Sequence, residues 1–313
     1  MAAIALVLLV TVLALSLPAG AAGASLVPTV TTSNAAHATY SSVTVYGYVN
    51  AHGIATGYAF QYGTSTGYGG QTALAPAGEK KSSVKVGATI DGLQPGTIYH
   101  YRIVAVNGAG LAYGGDRTFK TVPVPLSLQL TATPNPVTYG EPFLVDGNLS
   151  GTGAAGHEVI LEADPYPYAA GFRTIGNPEL TNASGGFSFP YLGLLENAQL
   201  RVATVGGTLV VSPVVVENVA VRVTFRAKRT RRRGYWRLSG TVAPAETGAL
   251  VGFQLLRPGN SLNEGGTGVK SGTATTSRFE RVVRVRHPGV YRALIKIDDP
   301  ARVSGYSPPI YIR

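Results

Sequence analysis

Leu93-x-Pro95-Gly96-x-x-Tyr99 runs directly into Tyr101-Arg102-Ile103-Val104-Ala105-Val106-Asn107 and Gly110, joining a turn signal to an alternating strand at one fixed spacing. The pattern is that of a tyrosine corner, in which a Tyr closes the turn before a core strand of an antiparallel sandwich. Its ring lies in the core and its hydroxyl bonds to backbone a few residues upstream. Leu93, Pro95, Gly96 and Tyr99 are its structural residues. Strand alternation then sends Tyr99, Tyr101, Ile103 and Ala105 inward and His100, Arg102 and Val104 outward. The corner constrains architecture tightly and carries no chemistry of its own.

The neighbouring segments alternate in the same way. Val43, Val45, Gly47 and Val49 share one face of a strand, with Thr44, Tyr46 and Tyr48 on the other, and Tyr58, Phe60 and Tyr62 mark a second strand. With the corner, these residues make the stretch from about 25 to 122 resemble the fibronectin type III family. It departs from that family in the second strand, where Gly47 stands near the place of the family's Trp. The resemblance implies a β-sandwich with adhesive or carbohydrate-associated roles.

Past Val122-Pro123-Val124-Pro125, an extended connector, a second pattern starts and repeats. Gly147, Val159, Phe187, Arg201 and Ser212-Pro213 are answered by Gly240, Val251, Phe279, Arg292 and Ser307-Pro308, about 92 residues on. Such uniform spacing indicates a duplicated module. The two copies, 123–217 and 218–313, resemble bacterial Ig-like domains, and no flexible linker separates them. The predicted fold class is therefore all-β: three tandem antiparallel sandwiches, 25–122, 123–217 and 218–313, after an N-terminal signal segment at 1–24.

That segment is apolar from Ala2 to Leu17 and is followed by Pro18 and by Ala22-Gly23-Ala24, a small-x-small cleavage signal before Ser25. No Lys or Arg precedes the apolar run, so both a cleaved signal peptide and a retained N-terminal anchor stay open, the anchor being the one expected contact with a membrane. Its sixteen residues fall short of the ~20 needed to cross a bilayer. The last residues hold no Leu-Pro-x-Thr-Gly sorting signal, which points to export without sortase attachment. The expected location is outside the cell, secreted or at its surface. With no cysteine in the chain, neither a disulfide framework nor a lipid anchor on Cys is available, and each module must be held by burial alone.

Catalytic patterns dissolve on inspection. Gly63-Thr64-Ser65-Thr66-Gly67 has the spacing of a nucleophile elbow, but Tyr68-Gly69-Gly70 forbids the helix that must follow. Gly151-x-Gly153-x-x-Gly156 has dinucleotide-fingerprint spacing, yet His157 to Ala163 alternates as a strand and not as a helix. His37, His52, His100, His157 and His287 are scattered with no zinc-ligand spacing. Glu158, Glu162 and Asp164 share one strand parity and read as either a hard-cation site or, more simply, a solvated acidic face. No cofactor, metal or enzymatic activity is expected.

Two binding features remain. Tyr46 and Tyr48 on an outward face, and Tyr166 and Tyr168 in a loop stiffened by Pro165 and Pro167, are candidates for stacking on glycans, or serve packing and edge protection. The second feature is charge. Formal net charge is +10, distributed as +3 over residues 25–122, −6 over 123–217 and +13 over 218–313. Lys228, Arg229, Arg231, Arg232 and Arg233, flanked by Arg222, Arg226 and Arg237 and followed later by Arg281, Arg284 and Arg286, form a candidate polyanion surface if their strands are neighbours. Arginine suits phosphate and carboxylate, and outside a cell the fitting partners are anionic wall polymers and glycans, with no specific nucleic acid expected. Two other readings compete: a basic turn guarding an edge strand, and docking on the acidic middle module. The chain thus reads as a non-enzymatic binding or spacer protein. The alternative is an accessory or catalytic protein of polysaccharide turnover with a site at a domain junction.

Overall fold

The structure, a computed structural model, describes residues 26–313; the expected signal segment lies outside them. The described residues contain strands and turns and no helix. The chain divides into two compact units, the first ending at Val124 and the second running Pro125–Arg313. One hydrophobic core lies in the first unit and two in the second.

In the first unit, Thr29–Thr32, Ser42–Asn50 and Val84–Asp91 form a three-stranded antiparallel sheet. The facing sheet centres on the pair Thr56–Gly63 and Ile98–Asn107, with short strands on either side. Val43, Val45, Phe60, Tyr101, Ile103 and Ala105 meet between the sheets with essentially no exposure. The tyrosine corner is present. Gly96 takes φ 63° in the turn, Leu93 and Tyr99 are buried, and the Tyr99 hydroxyl accepts the Gln94 N–H at 2.9 Å. The Tyr99 ring stacks on Phe119 at 5.5 Å. One expectation needs correcting: Val104, of outward parity, is also buried, at 8% exposure, beside its cross-strand partners Ala59 and Tyr113.

The second unit holds two sandwiches of the same topology. The first packs the sheet Ser127–Thr133, Pro142–Ser150 and Gly186–Leu192 on the sheet Arg173–Leu180, Glu158–Pro165, Ala198–Thr204 and Val215–Glu217. The second packs Arg222–Val223 with Arg226–Arg229, Tyr235–Ala243 and Ser277–Arg284 on Asn260–Gly268, Leu250–Arg257, Gly289–Lys296 and the short strands Gly305–Tyr306 and Ile310–Ile312. Counting Arg222–Val223 and Arg226–Arg229, which lie along the same edge of Tyr235–Ala243, as one interrupted strand, each sandwich sets three strands against four or more, in the manner of Ig and fibronectin type III domains.

Repeated sequence features occupy equivalent places. The sixth residue of each nine-residue second strand is glycine: Gly47, Gly147 and Gly240. Gly147 lies directly opposite Phe187 and Gly240 opposite Phe279, each with the Phe ring across it. A Cβ on Gly147 would stand 2.2 Å from the Phe187 ring and 2.3 Å from the Gln129 carbonyl, and one on Gly240 would stand 1.9 Å from the Thr224 carbonyl. Ser212 and Ser307 both accept a buried backbone N–H, from Val202 and Ala293, and both donate to the next residue's carbonyl. In all three sandwiches one arginine bonds the side chain directly opposite it: Arg102 to Gln61, Arg201 to Glu162 and Arg292 to Gln254, at 2.7 to 2.9 Å. The last sandwich also carries an unanticipated tyrosine closure, the Tyr291 hydroxyl donating to the His287 carbonyl at 2.8 Å.

The joint inside the second unit combines backbone pairing with side-chain hydrogen bonds. Val137–Thr138 pairs in parallel with Val219–Ala220, and Ala220 bridges to Val303. The Asn197 N–H donates to the Ala301 carbonyl at 2.7 Å, while its side chain accepts from Val219 N–H and donates to the Pro300 carbonyl.

Candidate functional site

The basic run falls on a hairpin. Arg226–Arg229 is an edge strand paired with Tyr235–Ala243, and Ser277–Arg284 pairs with the other side of that central strand. The two arginine-bearing strands are therefore members of one sheet, one strand apart and ~10 Å from each other. Alternation turns Arg226 and Lys228 outward while Phe225 is buried, and it sets Lys228 opposite Arg237 and Arg284 opposite Tyr235.

Between the strands, Arg231, Arg232 and Arg233 form an exposed tip. The tip is ordered by its own chemistry. Thr230 N–H donates to the Tyr235 carbonyl, Tyr235 N–H donates to the Arg232 carbonyl, and the Thr230 hydroxyl reaches both carbonyls at 3.0 and 3.1 Å. Gly234 supplies the positive φ of 78° that the turn requires. Its carbonyl accepts the Val285 N–H at 3.0 Å, tying the tip to the segment that carries Arg284 and Arg286.

Beneath the tip is a concavity lined by Arg229, Arg232, Arg233 and Arg313 together with Tyr235 and Trp236, with Val285 and Pro288 on its apolar side. Arg232 lies over the Tyr235 ring at 4.1 Å and Arg229 over Trp236 at 5.1 Å. The patch expected from sequence is thus two surfaces: this concavity at the sheet end, and an outer sheet face bearing Arg226, Lys228, Arg237 and Arg284. Arg231 and Arg286 are exposed but do not line the concavity. Tyr235, Trp236 and Arg313 were not anticipated. The two rings follow the basic run directly, whereas Arg313 is brought in only by the fold.

Arg222 does not join either surface. It lies at the opposite end of the sheet, paired with Glu141 at 3.1 Å and donating to the Tyr139 carbonyl of the acidic sandwich. Arg302 is also a joint residue, bonded to Glu246, Asp299 and the Leu195 carbonyl. Among the described residues, the remaining arginines of the run form no ion pair with the acidic sandwich, so docking on it engages only the foot of the strand. Arg237 pairs with Glu280 at 3.4 Å within its own sheet.

The aromatic candidates are less open than their sequence suggests. Tyr46 points outward, but Lys85 Nζ sits 4.3 Å from its ring centroid and the ring packs across Gly87. Tyr48 is 43% exposed. Tyr166 and Tyr168 are half-buried and meet edge to face at 5.5 Å, so they present no common flat surface. The first pair belongs to the first unit and the second pair to the second.

The acids are arranged for structure. Glu162 bonds Arg201, and Asp164 is not on a solvated face as expected. It is 4% exposed, and the turn that follows it is tied down by Tyr166 N–H donating to the Asn197 carbonyl. Among the described residues no group of three or more His, Asp or Glu is close enough to hold a metal ion. At the joint, Glu217 is fully buried and accepts the Val137 N–H at 3.0 Å; burial pushes its carboxyl up to about 7 against that hydrogen bond. In the first unit, His100 and Tyr68 both bond Asp116 at 2.8 Å. Desolvation opposes the Asp116 charge, and these bonds outweigh it and hold its pKa below the usual value. Ser65 lies in an exposed turn, where Gly67 N–H reaches its hydroxyl, and Gly151, Gly153 and Gly156 form a loop before a strand.

Comparison with known proteins adds little to this geometry. No family model and no curated protein matches the chain. Among solved structures it is similar to a tetra-tandem repeat from the extending region of a large adhesion protein, at 11% identity and a TM-score of 0.34, over 91% of this chain and 74% of that one. It is similar also to titin domains A168–A170, at 14% identity and TM-score 0.37 over 90% and 97% of the two chains. A third is the FN1–FN3 segment of chicken CNTN1, at 14% and 0.31 over 89% and 96%. The fold assignment rests on the sheets themselves.

Proposed function

We propose that this chain is an exported, non-enzymatic spacer and binding protein that works outside the cell, secreted or at its surface. In this reading the last sandwich holds anionic wall polymer or glycan, and the other two serve as scaffold. One observation carries the reading. Elsewhere in the second unit Arg201, Arg222 and Arg302 face acids at 2.5 to 3.2 Å, and Arg292 bonds Gln254. Other arginines, Arg173, Arg257 and Arg278 among them, form no ion pair among the described residues, so it is the clustering at the hairpin that sets its arginines apart. Among the described residues, Arg229, Arg231, Arg232, Arg233, Arg284 and Arg286 form no ion pair. These unneutralised charges gather at the end of the last sandwich away from the joint, about 25 Å along the strand from Arg222. A cluster of one sign attracts polyanions over a range set by salt.

Sedimentation of the full chain with an anionic wall polymer, at two ionic strengths, tests this. Binding should weaken steeply as salt rises and be lost when Arg231, Arg232 and Arg233 are all replaced by Ala. Unchanged sedimentation of that variant removes the polyanion role and leaves the edge-guarding one.

A further inference from the structure

Resting on that reading, we infer that the concavity beneath the hairpin is a discrete site for a tetrahedral oxyanion ester, phosphate or sulfate, carried on a polymer. It is distinct from the diffuse charge of the outer sheet face. Four features converge on this assignment.

The first is composition: the lining brings Arg229, Arg232 and Arg233 together with no Asp or Glu side chain. Like charges held in one concavity repel, and a multiply charged anion relieves that repulsion. The second is orientation. The Arg232 and Arg229 guanidinium groups lie over the Tyr235 and Trp236 rings, 4.1 and 5.1 Å from the ring centroids. Among the described residues neither side chain donates a hydrogen bond to the protein. A guanidinium placed against a ring, with its N–H groups unused by the protein, has the two-pronged fork that oxyanions accept still to offer.

The third is rigidity. The tip is fixed by the Thr230, Tyr235 and Val285 hydrogen bonds, so little order remains to be imposed on binding. The fourth is the apolar wall of Val285 and Pro288, which keeps water from one side and strengthens charge-assisted bonds. The outer face differs in composition, with Glu280 among its lining residues. Arg237 is already bound to Glu280, and Arg226, Arg278 and Lys270 are spread among the hydroxyls of Thr224, Ser239, Thr241 and Ser271. Such a face attracts any polyanion without preference.

The test separates fork from point charge. The full-length Arg229→Lys/Arg232→Lys variant keeps net charge and removes both forks, and Arg226→Lys/Arg284→Lys is the same change on the outer face. Each is titrated, with wild type, against polyphosphate, heparin and polygalacturonate at fixed ionic strength, with circular dichroism to confirm folding. Wild type should prefer polyphosphate, heparin or both to the carboxylate polymer. The concavity variant should lose at least tenfold in affinity for the preferred polymer, with polygalacturonate binding unchanged within twofold. The outer-face variant should match wild type throughout. Preference for polyphosphate alone assigns a phosphoryl site, and preference for heparin alone a sulfated one. Equal affinity for all three polymers, or a concavity variant that binds like wild type, overturns the discrete site and leaves the diffuse reading standing. Failure of wild type to bind any of the three overturns both.

Discussion

The two sandwiches of the second unit share a framework and differ in nearly everything exposed on it. Gly147 and Phe187 repeat as Gly240 and Phe279, and Ser212 repeats as Ser307. Arg201 on Glu162 repeats as Arg292 on Gln254. Yet one copy carries −6 and the other +13, and only the second has an arginine hairpin. The buried end of the final strand also differs, being Glu217 in one copy and Ile312 in the other, both fully enclosed. The shared residues solve packing and hydrogen-bonding problems set by the fold. The divergent ones are free of those problems, and they are where function is to be sought.

If that division is right, the largest effects come from the shared glycines. Gly147→Ala and Gly240→Ala each push a methyl group into a backbone carbonyl and a phenyl ring. Each should cost about 3 kcal/mol or more in urea unfolding, similarly in both copies, because in each a carbonyl and a packed phenyl ring would both have to give way. A mild effect in one copy alone would break the equivalence.

Next in size is the asymmetry at Glu217. Its folded-state value of about 7 lies above the 4.5 of an unperturbed carboxyl. The stability it contributes is therefore full below about pH 4.5 and is lost as pH rises through 7, a change of about 3 kcal/mol. Glu217→Gln keeps an acceptor for the Val137 N–H and should remove that pH dependence, so that the variant gains on wild type at pH 8. Parallel pH–stability curves for the two proteins would show that the carboxyl does not titrate in this window.

Smaller again are the serines. Ser212→Ala and Ser307→Ala leave the Val202 and Ala293 N–H groups without their acceptor, and each should cost about 1–2 kcal/mol by thermal unfolding. Least of all, Glu162→Gln converts the acidic copy's pair into the neutral pair of its sister. It should change stability by less than about 1 kcal/mol, since the amide keeps an oxygen for Arg201.

Much of the framework is legible in the sequence, because it is written in residues with strong local preferences. The Pro95-Gly96 turn and the alternation after it place Tyr99, and the 92-residue spacing aligns Gly147 and Phe187 with Gly240 and Phe279. The Tyr291 closure is harder to see, since His287-Pro288-Gly289 precedes it without the Leu and spacing of the first corner. Asp164 reads as part of a solvated acidic face or a cation site, because alternation says which face a side chain takes and nothing about what later covers it, and Glu217 drew no reading at all. Comparison of Glu217 with Ile312, its counterpart 95 residues on, does hold that information. The basic run is visible as composition, but its division into a sheet face and a concavity depends on register. Arg222 and Arg231 sit nine residues apart and end at opposite ends of one sheet, and Arg313 arrives only through tertiary folding.

The central claim is that the hairpin end of the last sandwich meets the ligand while the rest of the described chain is scaffold. Hydrogen–deuterium exchange of the full chain, with and without a saturating anionic polymer, tests it most directly. The account predicts slowed exchange confined to peptides spanning 226–237 and 281–288. Protection centred on Tyr46 and Tyr48, or on the acidic sandwich around Glu158–Pro165, with the arginine hairpin unchanged, would contradict it.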